Sequence, residues 1–166
     1  DVIADVLFPD AEAKPRRELL AVCCEMENDY LREHGGVLYP KLEETLGTLQ
    51  KKYALYIVSN CQAGYIEAFL DHYGFAKYFS DMECYGNNLK QKGENIRLLA
   101  DRNDLEQAVY VGDIQGDYDA SCQAGVGFIH AAYGFGTIAA EVPKILKFEE
   151  LPEVAEAYFG KAGRNM

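Results

Sequence analysis

Asp113 and Asp117 are the two side chains whose type and spacing most directly suggest chemistry. They close the run Ala108-Val109-Tyr110-Val111-Gly112-Asp113-Ile114-Gln115-Gly116-Asp117. An apolar β-rich stretch that stops at glycine and becomes helix-compatible puts Asp113 at a strand's carboxyl end and Asp117 in the next helix's first turn. Ligands bind at that edge in open α/β sheets. Two converging carboxylates suit Mg²⁺, a hard cation that keeps several waters and takes only one or two protein carboxylates beside a substrate phosphate. The alternative is a helix N-terminus carrying acids that complement its dipole.

Two further positions fall at strand exits or helix entries. Ser59-Asn60 follows Leu55-Tyr56-Ile57-Val58 and offers a hydroxyl and an amide to phosphate oxygens, or ordinary turn and N-cap chemistry. Lys92, in Lys90-Gln91-Lys92-Gly93-Glu94-Asn95, stands where a lysine can deliver a point charge to a phosphate or a carboxylate, or can be a solvated surface residue. His34, His72 and His130 are isolated in the sequence and receive no role.

The elements that must hold these residues are read from periodicity. Helices are expected near 15–34, 41–52, 65–73, 94–102, 117–124 and 149–157, and strands near 54–58, 82–85, 108–111, 128–131 and 145–148. In the first helix Leu19, Leu20, Cys23, Tyr30 and Leu31 share one broad face, and Gly35-Gly36 is the stop. Alternation of strands and helices with short connections predicts an α/β fold with a doubly wound parallel sheet.

Composition narrows the function. With 166 residues, 49% of them hydrophobic, the chain can bury one substantial core. A net charge of −11 with scattered Lys and Arg argues against a nucleic-acid partner. No apolar run approaches a membrane span and no signal pattern opens the chain, so a cytoplasmic location without membrane association is expected. Cys23, Cys24, Cys61, Cys84 and Cys122 form an odd set without Cys-x-x-Cys spacing, which fits reduced thiols rather than a disulfide framework or a zinc site.

Taken together, Ser59, then Lys92, then Gly112-Asp113-x-x-x-Asp117 resemble the haloacid dehalogenase superfamily of aspartate-nucleophile phosphohydrolases, in its phosphoglycolate-phosphatase-like branch. The similarity runs from about Gly36 to Gly136 through Leu38-Tyr39-Pro40, Ile57-Val58-Ser59-Asn60, Lys92-Gly93-Glu94-Asn95 and Val111-Gly112-Asp113. It implies that Ser59, with the backbone at Asn60 and Cys61, binds the transferring phosphoryl group. It implies that Lys92 stabilises charge on nucleophile and phosphate, that Asp113 and Asp117 hold Mg²⁺, and that the substrate is a small phosphorylated metabolite.

The sequence departs from the family pattern in two places. Position 114 is Ile where a threonine is usual, and no strand ending Asp-x-Asp-Gly-Thr, the family's nucleophile motif, is found. Asp5, in Val2-Ile3-Ala4-Asp5-Val6-Leu7, reads as a loop or helix end rather than a nucleophile. Residues 1–36 then read as the last part of a helical cap, and 37–166 as a core lacking its first strand. The chain by itself is expected to be inactive and unstable unless that strand is supplied. Alternatives are a pseudophosphatase or other non-enzymatic α/β module, and a phosphomutase of the same fold. Cys61 could make phosphate binding sensitive to thiol oxidation or be a buried structural thiol, and Tyr133-Gly134-Phe135-Gly136 could wall the site or be a simple turn.

Overall fold

The apolar runs become short parallel strands joined by helical crossovers, in a computed structural model that describes residues 2–162. The strands are β1 (Tyr56–Ser59), β2 (Asp81–Cys84), β3 (Val109–Gly112), β4 (Gly127–Ala131) and β5 (Lys144–Ile145). The helices are α1 (Val2–Leu7), α2 (Ala13–His34), α3 (Leu42–Leu49), α4 (Tyr65–Tyr73), α5 (Tyr85–Asn88), α6 (Lys92–Arg102), α7 (Gln115–Ala124) and α8 (Leu151–Ala162). The parallel α/β class expected from the sequence is the one observed.

The strands form two blocks. β1 pairs with β2 in the register Tyr56↔Asp81 to Ser59↔Cys84. β3 pairs with β4 from Val109↔Gly127 to Gly112↔His130, and β4 with β5 at His130↔Lys144 and Ala131↔Ile145. Successive side chains of β3 point to opposite layers. Tyr110 joins Ile96, Ala120 and Ala124 of α6 and α7, whereas Val109 and Val111 join Leu49, Ile129, Ile145 and Leu151 on the other side. Helices therefore cover both faces, as double winding requires. Another cluster, built from Leu46, Ile66, Leu70, Phe75 and Cys84, holds α3 and α4 against the first block.

Between the blocks runs an open slot. Parallel sheets ordinarily have both faces covered, and their inner strands are paired on either side. Every residue of β1 is only half-buried, and so are Val109, Tyr110 and Val111 of β3, whereas Phe128 to Ala131 in β4 are fully buried. The cleft separating the facing edges holds about 700 Å³ and is walled by Ile57, Val58, Val109 and Val111, with Leu49, Ile96 and Phe148 also lining it. Tyr110 crosses it, its hydroxyl donating to the Val58 carbonyl at 3.0 Å.

Several local expectations need correction. The strand expected near 145–148 is only the two residues of β5, because the chain turns into a 3-10 helix at Phe148–Glu150, where the Glu150 amide donates to the Lys147 carbonyl. The strand expected near 82–85 ends at Cys84, and Tyr85 opens the short α5. The expected face of α2 is packed only in part: Leu20 and Leu31 are half-buried, whereas Leu19, Cys23 and Tyr30 are exposed, and α2 has no fully buried residue. Asp5 lies within α1 and pairs with Arg16 of α2, so 2–7 is a helix rather than a substitute strand. Gly35 does stop α2, at φ +65°, its amide donating to the Leu31 carbonyl at 2.8 Å.

Candidate active site

The site is assembled where β3 ends. Gly112 is buried there because nothing larger fits: a Cβ at this position would fall 2.5 Å from Asp117 Cβ and 2.7 Å from its Oδ2. The missing side chain lets the Asp117 carboxylate fold back over the strand end. Its Oδ2 accepts the Asp113 amide at 3.0 Å and the Ile114 amide at 3.4 Å, so it satisfies backbone donors at the start of α7. Its Oδ1 takes Lys92 Nζ at 2.5 Å, a contact 17% exposed on the lysine and 5% on the aspartate. Asp117 thus faces Lys92 and the amides rather than standing open beside Asp113.

Burial works to raise the Asp117 pKa, but the Lys92 hydrogen bond and the two amides outweigh it and hold the group below the ordinary aspartate range. A carboxylate whose folded pKa is depressed stabilises the fold above the unfolded value near 4, and that contribution is lost as pH falls toward the folded pKa. Asp117→Asn is therefore expected to flatten the acid limb of stability below about pH 4. Urea midpoints taken across that limb check it, and an unchanged slope would contradict it.

Asp113 is differently placed. Its Oδ2 accepts the Phe135 amide at 2.7 Å, and Oδ1 has no protein donor among the described residues. The Tyr133 to Gly136 turn thus abuts the carboxylate. His130 Nε2 lies 3.3 Å from the Asp113 carbonyl oxygen, which requires the ring proton on Nε2. No group of three or more His, Cys, Asp or Glu gathers among the described residues. One open carboxylate oxygen with a second carboxylate behind it fits Mg²⁺, which uses few protein ligands, better than Zn²⁺ or Ca²⁺.

Lys92 is aimed by a polar network that the sequence did not reveal. It opens α6, where the Glu94 carboxylate accepts the Gln91 amide at 3.1 Å. Behind it Asn95 is fully buried, accepting from Asn88 Nδ2 at 2.7 Å and donating to the Lys90 carbonyl at 3.2 Å. Asn88 in turn accepts the Lys90 amide at 2.8 Å. Asn95→Ala strands these partners, so a loss of about 1–3 kcal/mol is expected in urea unfolding. A loss under half of that would mean water takes the vacated place. Lys92 Nζ also lies 5.8 Å from the Tyr110 ring centre. Burial, with Asp117 and Asp113 adding to it, pushes the Tyr110 hydroxyl far up, so it remains a donor to Val58.

Ser59 ends β1 across the slot. Its Oγ accepts the Cys61 amide at 3.3 Å, and Asn60 is exposed. Helix α2 steadies the segment that follows: Asn28 Nδ2 donates to the Ala63 carbonyl at 2.9 Å, and Gln62 Nε2 donates to Glu27 Oε2 at 2.9 Å and to Asn28 Oδ1 at 3.2 Å. The structure therefore gathers Lys92, Asp113 and Asp117 into one cluster and sets Ser59 and Asn60 beyond the slot, with Tyr110 between. Sequence reasoning placed Gly112 at the strand end without its role in seating Asp117, and it missed Asn95, Tyr110 and His130.

Known proteins bear on this geometry. The sequence model described as haloacid dehalogenase-like hydrolase matches residues 6–131. The phosphoglycolate phosphatase of Salmonella typhimurium is 29% identical over 150 residues, 83% of this chain and 59% of its own. That of Escherichia coli K12 is 31% identical over 109 residues, 62% of this chain and 43% of its own. The chain thus spans about half the length of these relatives. A haloacid dehalogenase-like hydrolase from Streptococcus pneumoniae has the same fold, with TM-score 0.71 at 19% identity, covering 94% of this chain and 75% of that one. With well over half of its residues matched, this chain belongs to the haloacid dehalogenase-like hydrolases.

Proposed function

We propose that this chain belongs to a Mg²⁺-dependent phosphohydrolase that acts on a small phosphorylated metabolite through an aspartyl-phosphate intermediate. The observation that carries the reading is the Lys92, Asp117, Asp113 cluster at the end of β3 on one side of the slot, with Ser59 at the end of β1 on the other. The nucleophilic aspartate rides on a β-strand seated between β1 and β3. Its carboxylate attacks phosphorus, the bond to the metabolite's oxygen breaks, and water then hydrolyses the acyl phosphate. One difficult displacement becomes two easier ones.

The chain's own residues prepare the charge balance. Ser59 Oγ and the Asn60 amide donate to phosphoryl oxygens, the Cys61 amide holds the Ser59 hydroxyl in place, and Lys92, fixed by Asp117, neutralises charge spread over the phosphoryl group in the transition state. Asp113 supplies the carboxylate for Mg²⁺, which when bound acts as a Lewis acid toward the phosphoryl group. Asp117 acts behind these groups, fixing Lys92 and the strand-end amides. Residues 1–36 belong to a cap over the site, and 37–166 to the catalytic core.

The test is hydrolysis of p-nitrophenyl phosphate by the full-length protein with and without Mg²⁺. Turnover that EDTA abolishes and Asp113→Asn removes is the expected result. Phosphate binding without turnover would favour the pseudophosphatase, and transfer to a sugar phosphate instead of water would favour the phosphomutase.

A further inference from the structure

Two of the cysteines lie together behind the segment that leaves Ser59. Cys84 ends β2 in register with Ser59, and Cys61 follows Ser59 by two residues. The two segments are pressed together: the Gly86 amide donates to the Cys61 carbonyl at 3.0 Å, and Cys84 Sγ lies 3.7 Å from the Gln62 carbonyl oxygen. A Cβ on Gly86 would fall 2.5 Å from the Gln62 carbonyl carbon, so only glycine permits this approach. The other cysteines, Cys23, Cys24 and Cys122, lie elsewhere, on α2 and α7.

We propose that Cys61 and Cys84 form a reversible disulfide under peroxide, a modification site that disables the adjoining Ser59 to Cys61 segment. The accessibilities assign an order. Cys61 is partly exposed and meets the oxidant, whereas Cys84 is fully buried. Burial, reinforced by Cys61, pushes the Cys84 thiol up, so it stays protonated until the second step. Cys61 thiol and hydrogen peroxide give the sulfenic acid and one water. The Cys84 sulfur then displaces hydroxide from it, its proton leaves with that hydroxide as a second water, and the S–S bond forms. Bonding distance draws Cys61 toward β2, which pulls its amide off the Ser59 hydroxyl.

The modification stands on the close approach of the two segments that carry the thiols, whereas its effect on turnover rests on the phosphatase reading. The experiment uses the full-length protein with Cys23, Cys24 and Cys122 replaced by serine, treated with dilute hydrogen peroxide and digested without reduction. A linked peptide containing residues 61 and 84, lighter by two hydrogens and cleaved by dithiothreitol, is expected. Hydrolysis of p-nitrophenyl phosphate should fall with it on the order of 100-fold and return on reduction. In Cys84→Ala the linked peptide and the loss that accompanies it both vanish, and dilute peroxide leaves Cys61 as the sulfenic acid. Cys61 oxidised to sulfinic acid while Cys84 stays a free thiol would overturn the proposal. A linked peptide with an unaltered rate would overturn its effect on the segment. Linkage in a protein without phosphatase activity would count against the phosphatase reading alone.

Discussion

Lys92→Met in the full-length enzyme is expected to lower kcat by at least about 100- to 1000-fold, the scale on which removal of a single preorganised charge donor acts. Methionine keeps much of the lysine stem and removes the ammonium, so α6 keeps its packing while the positive charge disappears. Two consequences follow from the 2.5 Å contact with Asp117. The phosphoryl group loses its neutralising partner, and a carboxylate only 5% exposed is left without its cation. The second effect destabilises the fold toward the low end of the about 3–5 kcal/mol seen when one member of a buried pair is removed, because Lys92 itself retains some solvent. Asp117→Asn separates the two effects, since it keeps an acceptor for the amides and releases Lys92. Stopped-flow turnover beside urea denaturation makes the distinction. A Lys92→Met enzyme with full kcat and only reduced stability would place Lys92 outside the chemistry.

The second large effect concerns the slot. These 166 residues alone are expected to unfold at a much lower urea concentration than a form in which a β-strand fills the space between β1 and β3. A strand there completes the burial of Ile57, Val58, Val109 and Val111, which are already half-buried, for half of the about 1.5–3 kcal/mol that full burial of such a side chain is worth. It also pairs the backbone groups on two open edges, at about 0.5–1.5 kcal/mol for each hydrogen bond. These sums exceed half of the about 5–15 kcal/mol that separates folded from unfolded domains. Amide exchange locates the effect. Rapid exchange at the β1 and β3 edges, slowed by at least about 100-fold when the strand is present, is expected. Equal protection in both forms would mean that the slot closes by itself. An open, flat, apolar edge also invites pairing with other chains, so the shorter form should self-associate as concentration rises.

How much of this was legible in the sequence depends on the range of the interaction. β1, β3 and β4 fall within one or two residues of their expected places because each is a local apolar run. The helix stop at Gly35 was legible for the same reason. α5 was not, since Tyr-Gly-Asn-Asn has no helical pattern and turns only because Gly86 must pass close to Gln62 and Ala63. Periodicity placed Leu19 and Tyr30 on one face of α2, but it cannot say whether a partner covers that face. At the site, the residue types pointed to Lys92, Asp113 and Asp117. That Asp117 folds back over the strand end to hold the Asp113 amide and a lysine 25 positions distant is a tertiary fact, permitted by the side chain that Gly112 lacks. Asn95 was invisible because a buried asparagine inside a helix has the same sequence appearance as an exposed one.

The split sheet also bears on the order in which the molecule is built. β1, α4 and β2 lie within 56–84, and β3, α7 and β4 within 109–131, so each block closes through contacts between near neighbours in the chain. Such local units form early, and long-range pairings come later because they must first overcome loop-closure entropy. A strand arriving from outside these blocks can dock only once both rims exist, and under the reading proposed above it brings the nucleophile with it. Assembly and activation would then be one event: each half-built intermediate holds part of a phosphate-binding surface and none of the group that attacks.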